Sequence, residues 1–311
     1  MADITSAVLG AINNGLNLAY NTQLYAATAD MTDFVFDAQS TGAAEVYPTL
    51  STLQGVREWI GAREVQALSQ SSFSITNRTF EETVAIKREN IEDDKYGMFS
   101  VVAGQLGRDA NQLPPTLIGQ LMTSGFTAPG PDGTTFFGSG HVNYTNKGVR
   151  TTTSNFAVVT GTGAVQGPPW FLIDSSQLLK PFIHQKRRPF VLTTRFNLQD
   201  PTVFDNNEFV WGVDGRMNVG YGLWQLAYAS TQPLTQANLI AAKTAMSQIR
   251  RPNGTPMGIK PNILVVPTAL WPTAQSLYLD SLIANDPTTP TTLVANQVKG
   301  AFKPSEFQWL N

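Results

Sequence analysis

Hydrophobic residues recur at helical spacing in three segments of the N-terminal half of the chain. Residues 57–70 and 98–125 both follow the helical period and predict amphipathic helices. Pro114-Pro115 supplies no amide donors, which predicts that the second helix breaks or restarts there. A shorter helix is predicted near the N-terminus. Its apolar positions are Val8, Ile12, Leu16 and Ala19.

The segment after the helix at 57–70 has a different pattern. Apolar and polar residues alternate from Phe73 to Ile86, which is typical of strands exposed on one side. Asn77-Arg78 is a plausible turn between two such strands. We therefore predict a long charged hairpin over residues 73–95. Such a hairpin has no core of its own and needs a partner surface.

The C-terminal half mixes both patterns. Short apolar runs with glycine punctuation between residues 170 and 229 predict a β-rich region. Thr235 is placed to cap an amphipathic helix. A continuous apolar run, Ile263–Val266, predicts a short buried strand, and Leu270–Ile283 predicts another helix. These elements indicate an α+β protein.

Charge is sparse and unevenly distributed along the 311 residues. Charged residues make up 14% of the chain, against about 25% in an average soluble domain, whereas 42% of residues are hydrophobic. This composition excludes intrinsic disorder and is typical of a chain that buries much of its surface against other subunits. The net charge of −2 argues against a dedicated nucleic-acid binder. The first 56 residues contain five acids and no Lys or Arg, so we expect them to form an arm that lies on another surface.

One short stretch holds nearly a quarter of all the charges. Ten of the 18 residues from Arg78 to Lys95 are charged, out of 44 in the chain. Paired carboxylates here could act as a general acid and base, but that chemistry needs a desolvated member and this stretch is strongly polar. Contact with a neighbouring subunit is the favoured interpretation. The candidate contact residues are Arg78, Glu81, Glu82, Lys87, Arg88, Glu92, Asp93 and Asp94.

A second cluster is basic. No acid lies between Ser175 and Gln199, so its cations could face packaged nucleic acid or an acidic neighbour. The alternative is a solvated basic strand without a binding role. The candidate residues of this cluster are Lys180, Lys186, Arg187 and Arg188.

The sequence displays no catalytic constellation. It has no cysteine and two histidines, His141 and His184, which are too few for a His-rich metal site. The glycines of Thr160–Gly163 resemble a dinucleotide fingerprint, but Pro168-Pro169 stands where the helix would open. We therefore expect no cofactor, no metal and no enzymatic activity. No apolar run is long enough to span a membrane.

Several sequence blocks, in family order from about residue 45 to 270, together resemble the major head subunit of Mu-like tailed bacteriophages. The blocks include Pro48-Thr49-Leu50, Arg57-Glu58-Trp59-Ile60-Gly61-Ala62-Arg63, Ser74-Ile75-Thr76-Asn77-Arg78-Thr79-Phe80-Glu81, Ile91-Glu92-Asp93-Asp94, Lys180-Pro181-Phe182-Ile183, Gly220-Tyr221-Gly222-Leu223-Trp224-Gln225 and Gly258-Ile259-Lys260-Pro261.

The resemblance implies a Hong-Kong-97-type capsid fold with an N-terminal arm, an extended hairpin loop, a spine helix in a peripheral domain and an axial domain. It implies a structural subunit that assembles as hexamers and pentamers into an icosahedral shell around double-stranded DNA. The implied parts are an arm at 1–56, a helix and extended loop at 57–97, a peripheral domain at 98–230, an axial part at 231–295 and a C-terminal return at 296–311.

The implied partners are copies of the chain itself, a portal, a scaffold or protease, and a decoration protein. The implied location is the virion, after assembly in the host bacterial cytoplasm. Two other classes remain open at this point. An encapsulin-like compartment shell shares the fold, and a β-rich hydrolase would need a buried carboxylate pair or a Ser–His pair.

Overall fold

A computed structural model describes residues 6–26, 31–48, 72–92, 98–161, 165–197, 199–284 and 293–310. The fold is mixed α and β, as expected. The helices are α1 (Ser6–Leu24), α2 (Arg88–Glu92), α3 (Met98–Ser124), α4 (Pro201–Asn206), α5 (Gln236–Ser247) and α6 (Trp271–Leu279). The strands are β1 (Val35–Gln39), β2 (Ala44–Pro48), β3 (Ser72–Thr76), β4 (Arg78–Lys87), β5 (His141–Tyr144), β6 (Arg150–Thr153), β7 (Phe156–Ala157), β8 (Trp170–Ile173), β9 (Phe182–Arg195), β10 (Glu208–Tyr221), β11 (Ala227–Ser230), β12 (Ile263–Val266), β13 (Leu282–Ala284), β14 (Leu293–Ala295) and β15 (Lys303–Glu306).

A four-stranded sheet in the order β1-β9-β10-β4 is built on two 14-residue strands. β10 pairs antiparallel with both β9 and β4, whereas β1 joins the far edge parallel to β9. Burial alternates along β10, so Phe209, Trp211 and Val213 enter the core on one face. The predicted arm at 1–56 is therefore too long, because β1 is an integral strand of this sheet.

The two long helices cover that buried face. Leu16 and Tyr20 of α1 are buried against α3 and the sheet, which confirms the helix predicted near the N-terminus. The backbones of the helices approach closely, since a Cβ on Gly107 would lie 2.2 Å from the carbonyl oxygen of Tyr20. The N-terminal helix thus lies on α3 of the same chain.

The prolines do not break α3, so that prediction is wrong. The helix runs without interruption for 27 residues through Pro114 and Pro115. A proline inside a helix costs about 3 kcal/mol, although its fixed φ suits helical backbone. Burial of Pro115, Leu117 and Ile118 on the core side offsets that cost. Tertiary packing therefore overrides the local signal.

A five-stranded sheet in the order β15-β12-β8-β11-β7 forms the second body of the structure. Every residue of β8, β11 and β12 is buried, and these strands join α5, α6 and the C-terminal end of α3 in the largest hydrophobic cluster. The buried strand at Ile263–Val266 and the Thr235 cap, which accepts a hydrogen bond from Asn238 N at 3.3 Å, are confirmed. The helix predicted to reach Ile283 instead ends at Leu279, because Asp280 is extended.

The predicted boundary at 230/231 does not follow the sheets. β7, β8 and β11 lie within the predicted peripheral segment 98–230, but they belong to the five-stranded sheet. The physical reason is that β8 is apolar on both faces. A strand of this kind needs both of its faces covered, and β8 finds that cover in the middle of the five-stranded sheet. Near the C-terminus, β15 pairs parallel with β12. The turn after β15 packs on α3, where the backbone of Trp309 contacts Gly119.

The hairpin predicted over 73–95 is also wrong. β3 pairs antiparallel with β2, whereas β4 pairs antiparallel with β10. Asn77 alone separates β3 from β4, and a single residue is too short to reverse the chain in a hairpin. The strand continues past Asn77 and changes partners. β3 instead pairs with β2, with residues 49–71 between the two strands, and we call this pair the β2–β3 hairpin. The predicted helix at 57–70 lies outside the described residues.

Candidate assembly surfaces

The charged stretch lies mainly on β4, the edge strand of the four-stranded sheet. Arg78, Glu81, Glu82 and Lys87 are exposed on this strand, and Arg88 begins α2. Glu92 ends α2, but its side chain and residues 93–94 are not among those that the structure describes. The structure thus brings five of the eight candidate contact residues to one edge.

The four charged side chains of β4 have few partners within the chain. The Arg78 guanidinium lies 5.2 Å from the centre of the Phe80 ring, and Glu81 accepts a hydrogen bond from Thr83 Oγ1 at 2.9 Å. In the part of the chain that the structure describes, none of these four side chains forms an ion pair. Burial, with the negative charges of Asp109 and Glu81, raises the pKa of Glu82. This edge therefore offers unpaired charge to a neighbouring molecule.

The root of the β2–β3 hairpin is fixed by a buried polar network. Gln185 is fully buried and donates from Nε2 to Asn77 Oδ1 at 2.7 Å and to Ile75 O at 3.0 Å. Its Oε1 accepts a hydrogen bond from Tyr47 at 3.0 Å. Asn77 in turn donates to Ser40 Oγ at 2.8 Å. The network joins β2, β3 and β9 to Ser40, the residue after β1, at the point where the chain changes sheets.

A carboxylate completes this network at its exposed end. Glu45 accepts hydrogen bonds from the amides of Thr41 and Gly42 at 2.6 and 2.8 Å and from Ser40 Oγ at 3.0 Å. These donors, led by the Gly42 amide, lower the pKa of Glu45. Sequence reasoning missed these residues because each is ordinary by itself. The available signal was the polar Gln185 next to the buried start of β9.

The cations of the basic cluster contact groups of their own chain, and the prediction that this surface faces DNA or an acidic neighbour stays a prediction. Lys186 pairs with Asp37 of β1 at 2.7 Å, and Arg188 pairs with Asp214 of β10. Lys180 donates to the carbonyl oxygen of Ser175, and Arg187 donates to that of Ser40 at 3.3 Å. The segment lacks acids in sequence, but its sheet neighbours on both sides supply carboxylates. All four cations therefore have partners within the chain.

The two histidines are also held inside the fold. His184 is buried and contacts Asp37 Oδ1 through Nδ1 at 2.9 Å, and this hydrogen bond, with Lys186, lowers the pKa of Asp37 to about 2. His141 is stacked on Trp224 with 4.0 Å between ring centres. Its Nδ1 lies 2.7 Å from Asp132 Oδ2 and its Nε2 lies 3.1 Å from the Phe136 carbonyl oxygen.

The surroundings of His141 fit a structural role. Burial raises the pKa of Asp132, but hydrogen bonds from His141 and Thr134 outweigh it and hold that pKa below its usual value. Both ring nitrogens of His141 face these partners, and no hydrogen bond joins the ring to Ser139 within the described residues. The described residues of the chain contain no group of three side chains able to hold a metal ion. No helix in the described part of the chain is long and apolar enough to cross a membrane.

Comparison with known proteins gives a consistent result. The family model for the Mu-like prophage major head subunit gpT matches residues 9–309. The major capsid protein of Escherichia phage Mu is 33% identical over 297 residues, covering 96% of both chains. The Mu-like prophage FluMu major head subunit of Haemophilus influenzae is 34% identical over 292 residues, covering 92% of this chain and 93% of the relative. A chain of the procapsid of bacteriophage JBD30 superimposes with a TM-score of 0.79 at 33% identity, covering 98% of this chain and all of that one.

Proposed function

The chain belongs to the family of Mu-like prophage major head subunits, with a Hong-Kong-97-type capsid fold, and from this premise we propose how it builds a phage head. Copies of the chain associate as hexamers and pentamers, which close into an icosahedral shell. The shell encloses double-stranded DNA. The observation that carries the proposal is similarity over nearly the whole chain, in sequence and in structure, to subunits of phage heads.

The parts of the fold suit distinct roles in such a shell. We assign α1 to the N-terminal arm, the β2–β3 hairpin with residues 49–71 to the extended loop, and α3 to the spine of the peripheral domain. The five-stranded sheet with α5 and α6 is assigned to the axial domain. These assignments replace the boundaries expected from sequence, because the two sheets draw strands from both halves of the chain.

The edge formed by β4 is the proposed contact between neighbouring subunits. Its charges are exposed and have no ion-pair partner among the described residues, whereas Lys186 and Arg188 of β9 form ion pairs within the chain. An exposed ion pair contributes only about 0–1 kcal/mol. A closed shell repeats the same contact around every symmetry axis, so small terms fix the relative orientation of subunits.

The remaining partners follow from the role of the shell. Head assembly takes place in the host bacterial cytoplasm, with a portal, a scaffold or protease, and a decoration protein as further partners. The mature protein resides in the virion. The role is structural rather than catalytic. An encapsulin-like compartment and a β-rich hydrolase are not favoured, because the Mu and FluMu relatives are head subunits.

The test is negative-stain electron microscopy with size-exclusion chromatography of the full chain, produced alone and together with the other head-assembly proteins of its own phage. Closed shells, rings or tubes of regular subunits are expected. A chain that stays monomeric in both conditions at high concentration would contradict the proposal. Shells that capture an enzyme rather than DNA would identify a compartment instead of a phage head.

A further inference from the structure

Two turns, one between β5 and β6 and one after α5, pack backbone against backbone. The β5–β6 turn is closed by hydrogen bonds from Thr145 N to Val149 O at 2.8 Å and from Gly148 N to Thr145 O at 3.0 Å. The second turn follows α5, with Gly254 N donating to Arg251 O at 2.8 Å. We call residues 145–150 and 250–255 together the paired-turn tip.

Glycines make this close approach possible. Gly148 and Gly254 have φ values of 73° and 81°, in the left-handed region that glycine tolerates best. A Cβ on Gly148 would lie 2.7 Å from the Pro252 carbonyl oxygen, and one on Gly254 would lie 2.4 Å from that of Asn146. The backbones of the two turns are therefore in direct contact, with no room for a side chain at either glycine.

The tip gathers four cations. Lys147, Arg150, Arg250 and Arg251 each stand within two residues of the contact between Gly148 and Pro252. Two residues of chain span at most about 8 Å, so all four side chains begin close together. Arg250 braces its own turn, because Nη1 donates to Gly254 O at 2.8 Å. Lys147 and Arg150 are exposed, and Arg251 is half-buried.

No carboxylate of the described residues forms an ion pair with these cations. The sequence has no acid between Asp132 and Asp174 or between Asp214 and Asp280, and the tip lies within these two segments. None of the four forms an ion pair in the part of the chain that the structure describes. The contrast with β9 is direct, because Lys186 and Arg188 there are paired. The exposed charge of the tip is therefore available to a binding partner.

The neutral residues of the tip favour a phosphate partner over a protein partner. Thr145, Asn146 and Thr255 are exposed and polar, and Val149 is the large apolar side chain exposed among them. Protein interfaces usually have an apolar or aromatic centre, which this tip lacks. Cations with hydroxyl and amide groups are the side chains that contact nucleic-acid phosphates.

We propose that the paired-turn tip binds the phosphate backbone of double-stranded DNA without reading its sequence. The proposal rests on the proposed function in one respect, since DNA is the content assigned to the shell. It adds a second candidate DNA contact to the basic cluster of β9. The binding itself is a property of the single chain in solution, so it is measured separately from shell formation.

The test is fluorescence anisotropy of a labelled DNA duplex titrated with the soluble full-length chain over a range of salt concentrations. The triple variant Lys147→Ser/Arg150→Ser/Arg251→Ser removes the three cations that do not brace the turns. We expect it to bind at least about tenfold more weakly at about 50 mM salt and to lower the slope of log affinity against log salt by about 2–3, since each phosphate contact contributes about 0.9. Circular dichroism checks that it stays folded.

A matched control separates the tip from overall charge. The variant Lys243→Ser/Lys260→Ser/Lys299→Ser makes the same charge change at three exposed lysines elsewhere, and we expect it to keep the affinity and salt slope of the unmodified chain. Equal losses in both variants, or no binding by the unmodified chain, would overturn the proposal. A tip variant that keeps its DNA affinity but no longer forms shells would assign the tip to a contact with a second copy. DNA binding by a chain that forms no shells would leave this inference standing and remove the proposed function.

Discussion

The five-stranded and four-stranded sheets differ in how their faces are covered. In the first, every residue of β8, β11 and β12 is buried, so these strands are covered on both faces within a single chain. In the second, burial alternates along β10, and most of the edge strand β4 is exposed. The residues on the open face of β4 include Glu81, Thr83 and Ala85, which are all exposed.

This difference indicates which part of the molecule buries its apolar surface within a single chain. The five-stranded sheet shares one large hydrophobic cluster with α5, α6 and part of α3. The four-stranded sheet packs against α1 and α3 through two smaller clusters and leaves polar and charged positions outside. We infer that the body built on the five-stranded sheet carries most of the stability of the subunit. The body built on the four-stranded sheet carries more of the contact with neighbours.

The largest expected effect on stability comes from a cavity in the core of the five-stranded sheet. Phe171 lies in β8, is 0% exposed and packs against Phe137 with 5.4 Å between ring centres. Phe171→Ala should lower the free energy of unfolding by about 3–5 kcal/mol, because it removes a large buried side chain and leaves a cavity. Chemical denaturation of the soluble subunit, followed by tryptophan fluorescence, measures this change.

Phe204 provides the matched control on the other side of the comparison. It lies on α4, beside the four-stranded sheet, and is 84% exposed. Phe204→Ala should change the free energy of unfolding by less than about 0.5 kcal/mol, as for most surface substitutions. Similar losses in the two alanine variants would mean that the two bodies do not differ in the way proposed.

The second prediction concerns the buried network at the hairpin root. Gln185→Ala removes the partner of Asn77 Oδ1 and of the Tyr47 hydroxyl inside the fold. We expect a loss of about 2–3 kcal/mol, because unsatisfied buried polar groups cost about 1–3 kcal/mol each. Hydrogen exchange should also become faster in β2 and β3, since the network holds this hairpin to the sheet.

Tyr47→Phe is the milder variant of the same network. It removes one hydrogen bond but keeps the ring that stacks on Phe73 at 5.4 Å. The expected loss is about 1 kcal/mol. If Gln185→Ala leaves exchange in β2 and β3 unchanged, the network does not anchor the hairpin.

The third prediction is a pH dependence on β1. The pKa of Asp37 is about 2 in the folded chain, against an ordinary value of 3.8, mainly because of the hydrogen bond with His184. The stabilisation is therefore present above about pH 4 and is lost as pH falls toward 2. Asp37 is 48% exposed, so solvent screening limits the effect to about 1 kcal/mol.

Asp37→Asn isolates this contribution. At pH 7 the variant should unfold about 1 kcal/mol more easily than the unmodified chain, and the difference should shrink at pH 3. Denaturation midpoints at the two pH values measure it. A difference that is the same at both pH values would show that the substitution acts through packing rather than through the charge of Asp37.

How much of this arrangement was predictable depends on the range of the interactions. The helix α3 was predictable from the local period of its apolar positions, and the strand β12 from its continuous apolar run. The change of partner at Asn77 was not, because β4 pairs with a strand about 130 residues later. The neutralisation of Lys186 was likewise hidden, since its partner Asp37 is 149 residues away. The local hydrophobic pattern thus predicted individual helices and strands. Pairing between distant strands determined which charged side chains have partners within the chain.

The smallest effect on stability, with the largest expected effect on assembly, is predicted for the edge of the four-stranded sheet. Glu81→Lys/Glu82→Lys changes two exposed positions of β4, so the free energy of unfolding should change by less than about 0.5 kcal/mol. Shell formation should be lost, because each contact between neighbours would exchange attraction for repulsion. The control Asp280→Lys/Glu306→Lys makes the same charge change beside the five-stranded sheet, and it should still assemble. Light scattering and negative-stain images compare shell formation by the two variants. Normal shells from the β4 variant would mean that this edge of the four-stranded sheet does not contact neighbouring subunits.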